Sequence, residues 1–139
     1  LVITNIQTKR KKVAYELEKI QHDLFAIGAY LANPKARSVK SLSERVKEFE
    51  KMIDAQTKKM PELKNFILPG GGMIGAQLHQ ARTVARRAER GLVALMQKEE
   101  VDEQIVKYIN RLSDLLFSTA RFINHHEKKR ETIWSQNNG

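Results

Sequence analysis

From Lys12 to Leu31 the apolar residues fall at Val13, Leu17, Ile20, Leu24, Ile27 and Leu31, in alternating steps of four and three. That spacing holds one stripe of side chains on one face of an α-helix, and it predicts a helix packed along its whole length. Asn33-Pro34 ends it, because proline disfavours a helical residue before it and has no amide proton to donate. The signal recurs. Leu42, Val46, Phe49 and Ile53 share a face behind Ser41 and Glu44, which have capping-box spacing, and this helix stops near Met60-Pro61. A helix from Ile74 to Lys98 sets Ala81, Ala85 and Ala88 beside Leu78, Leu92 and Leu95, small residues that let a neighbour approach closely. The last helix, capped by Asp102, carries Ile105, Ile109, Leu112, Leu116, Ala120 and Ile123. Leu1 to Gln7 reads as the tail of a helix already under way, Lys35 to Lys40 as a basic loop, and the segment after His126 as a polar tail bearing Trp134. Only three prolines and seven glycines interrupt these patterns. The expectation is an all-α antiparallel bundle.

Three of those glycines stand together in Phe66-Ile67-Leu68-Pro69-Gly70-Gly71-Gly72. Such a run is not helical; it predicts a buried apolar segment ending in a turn of unusual backbone angles. Its 139 residues, 41% of them apolar, suffice for one core and one domain spanning 1–139. Lysine and arginine number 25 against 16 acidic residues, a formal charge of +9. That balance favours an anionic partner without saying whether it is nucleic acid, lipid headgroup or nucleotide. Without cysteine there is no disulfide framework and no thiolate metal site. No apolar run approaches the roughly 20 residues that span a bilayer, and the start does not resemble a signal peptide. No membrane partner is expected, and the cytoplasm is the default location.

Arg82, Arg86 and Arg90 recur every four residues, so they leave one side of the helix on successive turns. Glu89 offsets part of their repulsion, and the positions between are alanine and valine, which places the guanidinium groups near the inner surface of the bundle. Three readings stand: a solvated face with surface salt bridges, a helix tracking nucleic-acid phosphates, or a site for a compact polyanion such as triphosphate. For the last, each charge-assisted hydrogen bond contributes about 1.5–3 kcal/mol. In the following helix, Asn110, Asp114, Phe117 and Arg121 share a face, with Asp114 paired to Arg111 or to an arginine across the bundle. On structure alone this is a buried polar network that sets helix register. His125 and His126 suit the C-terminal end of a helix dipole and make a poor chelate; His22 is read as exposed, and His79 has no assigned role. No metal site is expected.

Taken together, Phe66-Ile-Leu-Pro-Gly-Gly, Leu78-His79, Ala81-Arg82, Arg86-Arg87-Ala88-Glu89-Arg90, Asn110-Arg111-Leu112-Ser113-Asp114 and Ala120-Arg121 resemble the signature of PduO-type ATP:cob(I)alamin adenosyltransferases. The stretch from Leu17-Glu18 through Asp23-Leu24-Phe25 to Ile27-Gly28-Ala29 is similar to the second helix of that family. Order and spacing are kept over most of the chain.

The resemblance implies a five-helix antiparallel bundle that forms homotrimers with active sites between subunits. It implies ATP with Mg2+ and cob(I)alamin as substrates, and transfer of the 5′-deoxyadenosyl group to cobalt with triphosphate as leaving group. It assigns ATP binding to Arg86, Arg87, Ala88, Glu89, Arg90 and Asn110. It places Phe66 and Phe117 in the cobalamin pocket, with Phe66 displacing the lower axial base, and makes Arg86 and Phe66 the catalytic pair. Arg82 matches an arginine of an intersubunit salt bridge, and Trp134 falls loosely where a C-terminal tail covers the corrin. A flavin-type reductase is the candidate source of reductant, and nucleic acid is not an expected partner. The family's Thr-Gly-Asp-x-Gly loop, which wraps ATP phosphates, and the first helix with the aspartate partner of that arginine are not found in this chain. The expected domain is therefore a bundle whose first helix is largely missing. The other reading from the residues is a non-catalytic basic helical module that binds polyanions or nucleic acid.

Overall fold

The computed structural model describes residues 2–35, 39 and 41–136. Leu1, most of the basic loop and the last three residues lie outside that range. Four helices are described: α1 (Val2–Ala32), α2 (Leu42–Thr57), α3 (Met73–Met96) and α4 (Glu103–His126). They run up, down, up and down, and α4 is the spine. Among the described residues, the backbones of α1, α2 and α3 each approach α4 and not one another. That explains why α4 is apolar nearly all round, with Ile105, Tyr108, Ile109, Leu112, Leu115, Leu116, Ala120 and Ile123 buried. Asp102 caps it as expected: its carboxylate accepts from the Gln104 amide at 2.9 Å. Ile20, Ile27, Leu42, Phe49, Leu78, Ala85 and Leu92 close the core from the other three helices.

Three local expectations need correction. First, Val2–Gln7 is not the end of a separate helix, because α1 runs unbroken from Val2 through the basic stretch to Ala32; Leu1 lies outside the described residues. Lysine and arginine are good helix formers, and their mutual repulsion is relieved here, where Arg10 Nη2 reaches Glu127 at 2.6 Å. Second, the capping box at Ser41 does not form. Ser41 has φ 64°, and its side chain makes no cap hydrogen bond; a capping hydroxyl needs an extended backbone to face the first turn. Third, the Phe66–Leu68 segment is not buried: Phe66 is 81% exposed and Leu68 is exposed too.

A polar hub joins three helices at the other end of the core. Buried Arg45 on α2 donates to Asp23 at 2.7 Å and to Glu16 at 2.7 Å, both on α1, and also to its neighbour Glu48. Tyr108 of α4 donates to the same Asp23 oxygen at 2.7 Å. The guanidinium lies over the Phe49 ring, which packs on Tyr108 with centroids 5.1 Å apart. Burial opposes the Arg45 charge, but the three carboxylate hydrogen bonds outweigh it and hold its pKa above the ordinary value.

Candidate active site

α3 and α4 pack antiparallel, so each turn forward on α3 meets a turn backward on α4. Near the C-terminal end of α3, Glu89 accepts from Asn110 Nδ2 at 2.9 Å. About two turns earlier on α3, the Arg82 guanidinium stands 4.9 Å over the Phe117 ring, whose other contact is the edge of His79, 5.8 Å between centroids. At the N-terminal end of α3, Asn124 takes over. The face predicted on α4 and the arginine side of α3 thus share one seam.

The seam is open to solvent. Arg86, Arg87, Ala88 and Arg90 are exposed, as are Asn110 and Asp114, so neither the inner placement of the arginines nor a buried network at Asn110–Asp114 holds. Of the alanines and valine around the arginines only Ala85 reaches the interior: Ala81 and Ala88 are exposed, and Val84 is half exposed. Among the described residues no carboxylate forms an ion pair with Arg82, Arg86, Arg87 or Arg90. Glu89 is taken by Asn110, and Asp114 by Arg111 Nη1 at 3.0 Å, the local pairing anticipated from sequence. Arg111 also reaches Glu50 at 3.0 Å. These bonds, first to Glu50 and then to Asp114, raise its pKa. Arg82 goes the other way: burial lowers its pKa, and the neighbouring Arg86 charge lowers it further. An unneutralised cationic row with a donor amide beside it is suited to an oxyanion-rich ligand.

Phe66 belongs to the opposite end of the seam. Its loop is fastened from two sides, and neither fastening was read from sequence. On one side, Asn124, 2% exposed, donates from Nδ2 to Gly70 O at 2.9 Å and accepts from the Gly72 amide at 3.0 Å. On the other, the tail pairs with the loop as a short antiparallel bridge between Ile67 and Ile133. There Leu68 N donates to Thr132 O and Trp134 N to Phe66 O, both at 2.8 Å. The Trp134 ring meets Phe66 edge-on at 6.4 Å. The unusual turn angle expected of the glycines is found at Gly71, φ 100°. A Cβ on Gly71 or Gly75 would come within 2.4 or 2.2 Å of the Asn124 side chain, so both glycines are required by that close approach.

Asn110 and Asn124 are separated by about 20 Å along α4 at 1.5 Å per residue. The chain therefore carries its arginine row at one end of the seam and its Phe66 loop at the other, with Phe117 between. A cleft of about 550 Å3 opens beside Phe117, with Arg111, Asp114 and Arg121 in its wall. His79 is buried, its Nε2 has no hydrogen-bond partner, and burial, followed by the Arg82 charge, lowers its pKa. No group of three or more acidic or imidazole side chains is placed to hold a metal ion among the described residues.

Fold and seam together define an α-helical bundle with an exposed row of arginines on one helix and an asparagine on the next. A sequence model of the cobalamin adenosyltransferase family matches residues 1–123, and the chain belongs to that family. It is 51% identical over 110 residues to a corrinoid adenosyltransferase of Bacillus subtilis (strain 168), covering 78% of this chain and 57% of that protein. It is 41% identical over 139 residues to the Homo sapiens corrinoid adenosyltransferase MMAB, covering 95% and 56%. A solved structure of a variant PduO-type ATP:corrinoid adenosyltransferase from Lactobacillus reuteri, complexed with cobalamin and ATP, superposes with a TM-score of 0.85 at 36% identity, covering 92% of this chain and 71% of that one. The chain spans a little over half the length of these curated relatives.

Proposed function

We propose that the protein transfers the 5′-deoxyadenosyl group of ATP to the cobalt of cob(I)alamin. Cobalt attacks C5′, the bond from C5′ to the triphosphate oxygen breaks, and triphosphate leaves with its electron pair. The observation that carries this reading is the unpaired Arg82–Arg86–Arg90 row beside the Glu89–Asn110 tie. Cobalt(I) is itself the nucleophile, so the chain has to orient the partners and stabilise the leaving charge. Arg86 and Arg90 meet the triphosphate as its charge grows. Asn110 contacts the nucleotide and Glu89 holds its amide in place, with Arg87 and Ala88 completing that segment. Mg2+, when bound, neutralises phosphate charge; with Glu89 and Asp114 already engaged, the described residues offer it no cage, which suits an ion that arrives on the triphosphate.

Phe66 presents a largely bare ring on a fastened loop, suited to cover the lower face of a corrin and exclude water and the axial base. Phe117 lines the same pocket. Because some 20 Å of helix separates the Phe66 anchor from Asn110, a site using both is completed more readily between copies of the chain. That supports a homotrimer in which Arg82, without an ion-pair partner among the described residues, pairs with a neighbouring subunit. The five-helix reading is supported by a groove of about 510 Å3 between α1 and α3, lined by Leu17, Leu24, Ala81, Val84 and Ala88, where a further helix fits. No described helix is long and apolar enough to cross a membrane; a cytoplasmic location and a flavin-type reductase partner belong to the same proposal.

The test is anaerobic incubation of the full protein with ATP and chemically reduced cobalamin, following the conversion to adenosylcobalamin by absorbance. Turnover is expected, and Arg86→Ala lowers it by about 10²–10³-fold, as loss of a transition-state donor does, with an unchanged melting point. Salt-sensitive binding of DNA or RNA by a protein with no affinity for ATP or cobalamin would overturn the proposal.

A further inference from the structure

α1 stands off from α2 below the Arg45 hub, and a cavity of about 350 Å3 opens between them over α4. Its floor is Leu116 and Phe122, and its walls are Leu17 and Ile20 from α1 and Met52 and Ala55 from α2. The uncharged polar groups inside, Gln56 and Thr119, are already satisfied: Gln56 Nε2 donates to Thr119 Oγ1 at 3.1 Å, and Gln56 Oε1 accepts from Ser118 Oγ, outside the cavity, at 2.7 Å. The interior therefore asks for an apolar occupant.

The mouth is different. Lys9, Lys12 and Lys59 converge there from both helices. Glu16, the acidic residue in the lining, is engaged by Arg45 at 2.7 Å and by Lys19 at 3.5 Å. Glu127, near the end of α4, is taken by Arg10. Lys9 Nζ meets the His126 imidazole, 2.7 Å from Nε2, and stands 5.2 Å over the Phe122 ring at the edge of the floor; neither brings a negative charge. Burial lowers the Lys9 pKa, and the Lys59 and Lys12 charges lower it further; His126 is lowered by burial and by Lys9. Three lysines thus line an apolar hole, and the one carboxylate beside them among the described lining residues, Glu16, is held by Arg45 and Lys19.

We propose that this cavity binds a small amphipathic anion, an unbranched aliphatic chain with a carboxylate head, the chain lying on Leu116 and Phe122 and the head between Lys9, Lys12 and Lys59. The site lies on the α1–α2 side of α4, whereas the arginine row lies on α3, and its occupancy does not depend on the adenosyl-transfer reading.

Titration calorimetry of the full protein with sodium decanoate tests it. Saturable binding at one per chain is expected, about 15-fold tighter than octanoate, since each methylene buried contributes about fourfold. Decanol binds at least tenfold more weakly than decanoate, and acetate at matched ionic strength gives no saturable heat. Lys12→Met with Lys59→Met weakens decanoate at least tenfold and leaves decanol unchanged. Ala55→Phe fills the cavity from a position exposed on its wall and abolishes binding; Ala55→Leu, a smaller intrusion, weakens it in proportion should the phenylalanine variant melt early. No saturable binding to folded wild-type protein, full binding by both Ala55 variants, or equal affinity for decyltrimethylammonium would each overturn the assignment.

Discussion

Replacing Asn124 by leucine keeps the branching and heavy-atom count of the side chain and removes both ends of its clamp on the Phe66 loop. The Gly72 amide and the Gly70 carbonyl then lose their partners at a place where the Asn124 side chain is almost wholly buried. A buried polar group left without a partner costs about 1–3 kcal/mol. Relaxation of the Gly70 end toward water returns part of that, so the net loss is about 2–4 kcal/mol, a drop in melting point on the order of 10 °C for a domain of this length. Circular dichroism measures the melting point. Trp134, the single tryptophan, sits edge-on to Phe66 at the far side of the same loop, so its emission reports locally on whether the loop has moved. Faster hydrogen exchange at the Gly72 amide, a lower melting point and a shifted Trp134 spectrum are expected together. A melting point within two or three degrees of the parent with Gly72 still protected would mean that the loop is held by its pairing with Ile133 alone, and the clamp reasoning would fail.

Other perturbations separate fold from function. Arg45→Ala leaves Asp23, Glu16 and Glu48 facing one another; allowing for their partial exposure, the loss is about 2–3 kcal/mol by urea denaturation, partly recovered by adding Asp23→Asn. Phe66→Ala removes an 81% exposed ring, so stability changes by less than about 0.5 kcal/mol. Under the proposed function, reduction-linked activity falls while ATP affinity, measured by calorimetry, stays. His79 has its pKa lowered by burial and by Arg82, so the unfolded chain takes the proton first. Stability is then full above about pH 6.5 and declines as pH falls below it, until folded His79 is itself protonated. His79→Gln flattens that decline in melts between pH 7 and 5; an identical pH profile would show that His126 and the carboxylates account for all of it.

Helices were legible because their signals are local. The four-and-three spacing on α1 and the recurring apolar positions of α4 state which faces are covered, and Asp102 two residues before Gln104 is enough to specify a cap. The arginine and asparagine motifs were legible as types and order, and packing then joined them through Glu89 and Asn110. What escaped depends on partners distant in the chain. Arg45, in a stretch alternating acids and bases, looks like any surface residue until Asp23, Glu16 and Tyr108 are brought to it. Asn124 shows nothing by itself, since its role exists only where the glycine loop passes over it. The apolar look of Phe66-Ile67-Leu68 suggested burial, yet backbone bonds to Thr132 and Trp134 hold that loop at the surface, and a pairing across more than sixty residues leaves no periodic trace.

Because the backbones of α1, α2 and α3 approach α4 and not one another among the described residues, the order of synthesis runs against the order of support. A ribosome releases the three flanking helices first, each with a greasy stripe and no backbone of its own to set it against. Only when the fourth emerges do they acquire a common surface. A message cut short before residue 103 would yield a chain without the helix on which α1, α2 and α3 pack, and cells are expected to clear it rather than accumulate it.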